Sequence, residues 1–188
     1  MPKNNVPEQF ETERMIIRVP QISDYPEIYE AIVESKKELI PWMPWAEKSN
    51  LKNTEESTRM AVSKFISRED LRYHFHDKKT GQFLVGSGLH RIDWNVPKFE
   101  IGFWCRSSKV GNGYVTEGVK ALADMAFEQL SASRVEIRCD QRNFASSAVA
   151  KRAGFSLEGI LTNDRRDHHN ALSSTMIFAR TSKKRLVN

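Results

Sequence analysis

The fold is decided by one stretch, Phe99-Glu100-Ile101-Gly102-Phe103-Trp104-Cys105. This aromatic and β-branched run has no helical spacing and therefore indicates a strand. A turn with two glycines, Gly111-Asn112-Gly113, follows it and leads into a segment whose apolar residues recur every three or four positions, namely Val115, Val119, Leu122, Ala123, Ala126 and Leu130. The sequence therefore predicts a strand, a turn and a helix that starts near Gly113.

The glycine turn is suited to an anion such as a diphosphate. Gly111 and Gly113 have no Cβ, so backbone N–H groups can converge there, and a helix start carries a partial positive charge. A tight connection between strand and helix is the other interpretation of this spacing. Two better-defined phosphate motifs are excluded. No Lys-Ser or Lys-Thr follows the second glycine, and Thr116 stands where a dinucleotide-binding fingerprint requires a small residue.

Length and charge limit the class of protein. The chain has 188 residues and a net charge of +5. The length predicts a single domain over 1–188, with a loose arm over 1–10 and a basic, solvated tail over 181–188. The positive charge suits an anionic ligand. Nucleic-acid binding is the weaker alternative, because no basic stripe alternates with aromatic residues as single-strand binding requires.

No apolar run approaches the length of a membrane span, and the first residues lack the apolar core of a signal peptide. We therefore expect a cytoplasmic protein without a membrane partner. Cys105 and Cys139 lie in strand-like runs and are interpreted as small buried groups of a reduced compartment, not as a disulfide. A nucleophilic role for Cys105 would need a His or Asn partner, and none is visible nearby in sequence.

The rest of the chain contains short strands and helices. Strands are predicted over 14–19, 73–77, 83–92, 99–105, 134–140, 155–160 and 172–179. Helices are predicted after Ser23, from a cap at Asn53, after Gly113 and over 145–152. The order βααβββαβαββ, with a meander of three antiparallel strands, predicts an α/β (α+β) fold in which helices cover the faces of a mixed sheet.

Several residues capable of chemistry have two interpretations each. His74 and His76 share one face of a strand, but a metal site would need a third ligand that the spacing does not supply, so we predict no metal. His90 is a candidate base or a partly buried polar contact. Trp42 and Trp45 lie in a segment with two prolines and form either the wall of a substrate pocket or an aromatic plug on the core.

Five motifs resemble, in order and spacing, the acetyl-CoA-binding core of the GNAT superfamily of N-acetyltransferases. They are Glu100-Ile101-Gly102-Phe103-Trp104, Gly111-Asn112-Gly113-Tyr114-Val115-Thr116-Glu117, Arg134-Val135-Glu136-Ile137-Arg138, Asn143-Phe144-Ala145-Ser146 and Ala153-Gly154-Phe155. Residues 11–18, together with Trp42 and Trp45, are similar to the RimJ/RimL branch, the ribosomal-protein N-terminal acetyltransferases. The resemblance covers nearly the whole chain.

The resemblance implies a GNAT-like, mostly antiparallel sheet of about seven strands. Acetyl-CoA, the cosubstrate, would lie in a V-shaped gap between the central strand and strand 134–140. A primary amine would attack the thioester directly in a ternary complex, with a backbone N–H stabilising the oxyanion. That amine is expected to be a protein or peptide N-terminus, with ribosomal proteins as candidates, and the enzyme is expected to be a monomer or homodimer.

The resemblance also implies site residues. Trp42 and Trp45 would contact the substrate. The residues expected to bind acetyl-CoA are Ile101, Gly102, Phe103, Val110, Gly111, Asn112, Gly113, Tyr114, Thr116, Asn143 and Ser146.

Two positions depart from the family pattern. Ser108 stands where the family usually has Arg or Gln before the glycine turn, so either Lys109 or Arg106 supplies the positive charge or none is needed there. Ala150 stands where many members have a Tyr that protonates the leaving thiolate. Without that tyrosine, a noncatalytic acyl-CoA-binding or regulatory module is the alternative to an enzyme.

Besides His90, the candidates for proton transfer are Ser146 and Glu100. Ser146 is the candidate acid, although its hydroxyl can also make a hydrogen bond at a helix start. Glu100 is the candidate base, because a carboxylate beside a cleft can take a proton from an ammonium group when burial raises its pKa. A solvated glutamate at a strand edge is the alternative for Glu100.

Overall fold

The computed structural model describes residues 6–181. Eight strands and five α-helices occur in this range. In chain order they are β1 (Gln9–Glu11), β2 (Met15–Arg18), α1 (Tyr25–Glu34), α2 (Lys36–Leu39), α3 (Leu51–Ser67), β3 (Leu71–Asp77), β4 (Phe83–Asp93), β5 (Lys98–Cys105), α4 (Tyr114–Gln129), β6 (Arg134–Asp140), α5 (Phe144–Arg152), β7 (Ser156–Arg166) and β8 (Leu172–Thr181). Short 3₁₀ turns lie at Ile22–Asp24, Pro44–Lys48 and Ser107–Lys109.

The strands form one sheet in the order β1-β2-β3-β4-β5-β6-β8-β7. Neighbouring strands are antiparallel except β5 and β6, which are parallel and are joined through helix α4. The predicted mixed, mostly antiparallel sheet and its meander, β3-β4-β5, are therefore confirmed. The sheet has one strand more than predicted. Within 6–181, no helix is both long and apolar enough to cross a lipid bilayer.

The additional strand, β1, lies in the segment predicted to be a loose arm. It pairs antiparallel with β2 and extends the sheet at that edge. Val6 is buried, and the Phe10 ring packs edge-on against Tyr73 with 5.5 Å between centroids. The prediction of a loose arm is wrong for residues 6–10, because their apolar side chains cover one end of the core. Residues 1–5 and the predicted basic tail after β8 lie outside the described residues.

Helix α4 packs on one face of the sheet through its predicted apolar stripe. Val119, Leu122 and Ala126 are fully buried. The close approach requires a glycine at position 118, since a Cβ there would lie 2.2 Å from the Phe75 ring of β3. Burial of each large apolar side chain contributes about 1.5–3 kcal/mol. This burial fixes the strand, turn and helix that the sequence predicts.

Helices α1 and α3 cover the opposite face. Side chains alternate along β3, so His74 points away from the face that Phe75 occupies. Ile28 and Ile32 of α1 form a second, smaller core with Phe83 of β4. The predicted placement of helices on both faces is confirmed.

Helix α3 begins at Leu51, earlier than the predicted cap at Asn53. Asn50 is the N-cap, and its side-chain oxygen accepts a hydrogen bond from the Asn53 N–H at 2.9 Å. Both asparagines are good capping residues. The local pattern therefore did not distinguish between them.

Candidate active site

A gap opens in the middle of the sheet between β5 and β6. The two strands pair only over 98–100 and 134–136. Beyond these residues β5 continues to Cys105 and β6 to Asp140, and in the described part of the chain no strand lies between them. Backbone N–H and C=O groups on facing strand edges are strong hydrogen-bonding groups that an extended ligand can satisfy. The predicted V-shaped gap is present.

The gap widens into a cleft of about 1050 Å³, which β5, the glycine turn, the start of α4, β6 and α5 line. Asn112 is absent from its wall, because its side-chain amide donates to the carbonyls of Lys109 and Val110 and folds back on the turn. The other residues predicted to bind the cosubstrate all line the cleft: Ile101, Gly102, Phe103, Val110, Gly111, Gly113, Tyr114, Thr116, Asn143 and Ser146.

The glycine turn has a backbone conformation that residues with a side chain rarely adopt. Gly111 and Gly113 have φ angles of +84° and +81°. Gly113 is the N-cap of α4 and supplies no side-chain hydrogen bond to the first helical N–H groups. A Cβ at Gly111 would meet nothing within 4 Å, so the turn faces open space. An anion at this point would be stabilised by these N–H groups and by the helix dipole.

Arg14 braces this turn through contacts that no local sequence pattern indicates. Its Nη1 donates to the carbonyl of Asn112 at 2.9 Å, and its Nε donates to Glu117 in the first turn of α4 at 2.6 Å. The guanidinium also lies 4.5 Å from the centre of the Tyr114 ring. Burial alone would raise the pKa of Glu117, but hydrogen bonds from Thr12 and Arg14 hold it below its usual range. Arg14 therefore offsets a carboxylate that would repel an anion.

Other positive charges face the cleft directly. Lys109 and Arg152 line it. Arg106 does not, because its Nε donates to a carboxylate oxygen of Glu34 at 2.6 Å. Of the two residues expected to replace the missing charge at Ser108, the geometry favours Lys109.

A second cavity, of about 600 Å³, lies on the sheet face that α1 and α3 cover. Side chains from α1, α3, β3, β4 and the 3₁₀ turn Pro44–Lys48 line it. It meets the cleft at β5, where Gly102, Phe103 and Trp104 line both spaces. The two cavities are therefore adjacent along the middle of β5.

The structure separates the two tryptophans predicted to contact substrate. Trp42 lines the cleft, whereas Trp45 lines the second cavity. Trp45 is 48% exposed, and its ring packs edge-on against Trp104 with 6.2 Å between centroids. Both tryptophans belong to cavity walls and neither is a plug within the core.

Comparison with known proteins agrees with this architecture. The family described as acetyltransferase (GNAT) domain matches residues 14–156. The chain belongs to the GNAT acetyltransferase family. A protein of Bacillus subtilis (strain 168) named "Putative ribosomal N-acetyltransferase YdaF" is 30% identical over 155 residues, which are 78% of this chain and 80% of that protein.

A further relative supports this family membership, and a solved structure has the same fold. The ribosomal-protein-serine acetyltransferase of Escherichia coli (strain K12) is 28% identical over 136 residues, or 71% of this chain and 74% of that one. The solved structure of RimL, a ribosomal L7/L12 alpha-N-protein acetyltransferase in complex with coenzyme A, superimposes with a TM-score of 0.85 at 19% identity. That superposition covers 94% of this chain and 97% of RimL. The protein is an acetyl-CoA-dependent N-acetyltransferase that moves an acetyl group to an amine.

The residues of the cleft fit acetyl-CoA. A strand edge without a neighbour suits the amide groups of its pantetheine arm, and the turn at α4 suits its diphosphate. The positive side chains of Lys109 and Arg152 complement its charge. The chemistry of this cleft therefore suits acetyl-CoA, the cosubstrate of the family.

In this acetyltransferase the family tyrosine is replaced by Ala150, which is fully buried and has no proton to donate. Ser146 lines the cleft nearby. Its backbone N–H donates to the side chain of Asn143, the N-cap of α5, at 3.0 Å. Its hydroxyl lies within hydrogen-bonding reach of the Cys139 thiol, whose pKa is raised by burial. The helix-start hydrogen bond therefore belongs to the backbone of Ser146, and the hydroxyl is not engaged in it.

Glu100 lines the cleft where β5 and β6 begin to diverge. Burial raises the pKa of its carboxyl group, although Arg91 and Arg138 oppose this shift. Its Oε2 lies 3.3 Å from the Arg91 guanidinium but makes no hydrogen bond. The side chain is 16% exposed, so Glu100 is not a solvated edge residue.

The two cysteines of the acetyltransferase are free thiols. Cys139 is buried as predicted, whereas Cys105 is only partly buried and lines the cleft. Burial raises the pKa of the Cys105 thiol to about 11. A nucleophilic cysteine requires the opposite shift, so Cys105 is unsuited to that role at neutral pH.

The fold brings Asp24 to His74 and His76, and their candidate ligand atoms lie within 4.8 Å of one another. This is the third metal-ligating residue that sequence spacing did not supply. However, Arg18 donates to both carboxylate oxygens of Asp24 at 2.8 Å, and Gln21 N–H donates to one of them. Burial lowers the pKa of His74 to about 4. Because Arg18 holds its carboxylate, Asp24 forms a buried ion pair beside His74 and His76.

Proposed function

We propose that the acceptor of this acetyltransferase is the N-terminal amine of a protein, with ribosomal proteins as the first candidates. The observation that supports direct transfer is the shared boundary of the two cavities at Gly102, Phe103 and Trp104. An amine in the second cavity would reach a thioester in the cleft without a covalent enzyme intermediate. Relatives named for ribosomal-protein acetylation support the choice of acceptor.

The proposed complex places acetyl-CoA along the cleft. Its diphosphate lies at the turn formed by Val110, Gly111, Asn112, Gly113 and Tyr114. Its pantetheine arm runs along Ile101, Gly102 and Phe103, while Thr116, Asn143 and Ser146 complete the wall. In this arrangement a β5 N–H stabilises the oxyanion, and Ser146 passes a proton to the leaving thiolate. Glu100 stays a candidate for the proton acceptor because burial raises its pKa.

The second cavity suits the first residues of a polypeptide. Its wall contains hydroxyl and amide side chains at Ser49, Asn53, Thr54 and Ser57, which can pair with peptide groups. Lys48 adds a positive charge to the same wall. We infer a preference for N-termini whose second or third residue is neutral or acidic.

The same proposal covers the whole chain as a single N-acetyltransferase domain that acts in the cytoplasm as a monomer or homodimer. Sedimentation of the purified protein measures the oligomeric state directly.

The acceptor assignment is tested with purified protein, acetyl-CoA and short synthetic peptides that carry a free N-terminal serine and no lysine. Release of the coenzyme A thiol and a gain of one acetyl group at the peptide N-terminus are expected. The matched control is the same peptide with a blocked N-terminus and one internal lysine. Acetylation of that lysine would contradict the N-terminal assignment, and binding of acetyl-CoA without thiol release would support a noncatalytic module.

A further inference from the structure

His90 of β4 is held in a groove made by two glycines. Gly88 and Gly102 are cross-strand partners in β4 and β5. A Cβ at Gly88 would lie 2.8 Å from Cε1 of His90, and a Cβ at Gly102 would lie 3.3 Å from its Cδ2. The imidazole therefore lies over the backbone of both glycines. This contact places the ring at the middle of β5, where the two cavities meet.

A carboxylate fixes which nitrogen of His90 carries the proton. The Nδ1 atom lies 2.6 Å from Oδ2 of Asp70, the residue that precedes β3. An ionised carboxylate can only accept hydrogen bonds, so Nδ1–H is the donor. Neutral imidazole then has its lone pair on Nε2. A Cβ at Gly102 would lie 3.6 Å from this Nε2, so the unprotonated nitrogen lies beside Gly102 of β5.

His90 and Glu100 project from the same face of the sheet but line different cavities. The two residues are cross-strand partners, but His90 lines the second cavity and Glu100 lines the cleft. Glu100 is also accompanied by the guanidinium of Arg91 at 3.3 Å. The side chain of His90 is 29% exposed, so a proton taken by Nε2 can leave to solvent through the second cavity. A base for the acceptor amine belongs on the acceptor side.

We propose that His90 is the catalytic base that takes a proton from the acceptor ammonium group, and that Asp70 is the positioning residue that sets its tautomer. This inference rests on the acceptor assignment proposed for the second cavity. An N–H bond of the ammonium group breaks and an Nε2–H bond forms. The amine lone pair then forms the C–N bond with the thioester carbonyl. The C–S bond breaks as the tetrahedral intermediate collapses, and the remaining ammonium proton of that intermediate passes to the thiolate.

Charged groups face His90 from each neighbouring strand. Asp70 precedes β3, Arg72 lies on β3, Glu100 lies on β5 and Arg91 follows His90 on β4. The Nη1 of Arg72 donates to the hydroxyl of Ser57 at 2.9 Å. A pH profile of the enzyme therefore needs variants that separate His90 from Asp70 and Glu100.

The test compares wild type with His90→Gln, Asp70→Asn and Glu100→Gln, using acetyl-CoA and a peptide with a free N-terminal serine. At pH 7, His90→Gln should lower kcat/KM for the peptide by about a hundredfold, the typical size of general base catalysis. The dissociation constant for acetyl-CoA should stay within about twofold, since His90 does not line the cleft. Asp70→Asn should cause a smaller loss, about tenfold, because an amide still holds the ring.

The pH dependence distinguishes a base from a structural residue. An α-amine has a pKa of about 8, so above that pH most of the acceptor is already deprotonated. The deficit of His90→Gln should therefore shrink between pH 7 and 9. His169→Gln, which changes an exposed loop histidine, is the matched control and should behave as wild type.

Each outcome is decisive. Full activity of His90→Gln at pH 7, or a deficit that is constant from pH 7 to 9, would overturn the inference and leave the acceptor assignment intact. If His90→Gln does not fold, a deficit of Asp70→Asn that shrinks with rising pH supports the base, and a constant one refutes it. A wild-type protein that acetylates no amine would refute both the base and the proposed acceptor.

Discussion

The two cavities of this acetyltransferase are built in different ways. The cleft is formed largely by one continuous part of the chain, from Glu100 to Arg152, and backbone groups and glycines supply much of its surface. The second cavity is assembled from side chains on separate elements that span Ile28 to Trp104. A site built from backbone groups can be predicted from a short stretch of sequence, because only glycine fits certain positions. A site assembled from side chains that are distant in sequence cannot be predicted in this way.

The largest effect that tests this difference is expected at the glycine turn. Gly113→Val forces a β-branched residue into φ of +81° and blocks access to the start of α4. Loss of one charge-assisted hydrogen bond, about 2 kcal/mol, corresponds to acetyl-CoA binding about thirtyfold weaker by calorimetry. Gly81→Val, at φ +73° in the β3-β4 turn, is the control with similar strain. Equal losses in both variants would contradict a role in binding.

A smaller effect is expected from Arg14→Gln. This change removes the guanidinium charge beside the Glu117 carboxylate at the start of α4, so that carboxylate opposes an anion there by about 0.3–1 kcal/mol. The dissociation constant for acetyl-CoA should rise about twofold to fivefold, and the difference should shrink in high salt. Adding Glu117→Gln should restore most of the affinity. Arg59→Gln, which breaks an exposed ion pair on α3, serves as the control. No rescue by the double variant would refute the electrostatic explanation.

Replacing each of the two tryptophans should change KM for a different substrate, by a factor similar to or smaller than that for Arg14→Gln. Trp42→Ala should raise KM for acetyl-CoA about threefold, because Trp42 lines the cleft. Trp45→Ala should raise KM for the peptide by a similar factor, because Trp45 lines the second cavity. Steady-state kinetics with each substrate varied in turn measures both. The division of the two sites would be wrong if both variants altered KM for the same substrate.

The smallest effect is expected at Cys105. Burial raises the pKa of its thiol to about 11, so fewer than about one thiol in a thousand is ionised at pH 7. Cys105→Ser should keep kcat within about twofold of wild type. Modification by iodoacetamide at pH 7 should be slow compared with a free thiol. A loss of activity of a hundredfold would restore the nucleophile interpretation.

Sequence reasoning placed the central elements correctly, because their patterns are local. The apolar stripe of α4 and the positions of Gly111 and Gly113 determine the strand, the turn and the helix. The wrong prediction of a loose arm also has a local cause. The arm over 6–10 was too short and too polar to indicate a strand. It is ordered because the side chains of Val6 and Phe10 pack against apolar residues at the end of the core.

The catalytic side was harder to predict, since its groups are distant in sequence. Glu100 was recognised as a candidate base from its strand, but its pairing with Arg91 depends on the bend after His90. The contact between Arg14 and Glu117 could not be predicted, because 103 positions separate the two residues in sequence. Asp70 is likewise 20 positions from His90, with a whole strand and a turn between them.

The glycine turn proposed to hold the cosubstrate follows from a short stretch of sequence, because backbone conformation and helix starts depend on neighbouring residues. Tertiary structure alone decided which side chains meet. The burial of Phe75 and Phe99 on one face of the sheet sets the register of β3, β4 and β5. That register places Asp70 beside His90, and His90 beside Gly102. Such distances result from the packing of the whole core, and no short stretch of the chain contains them.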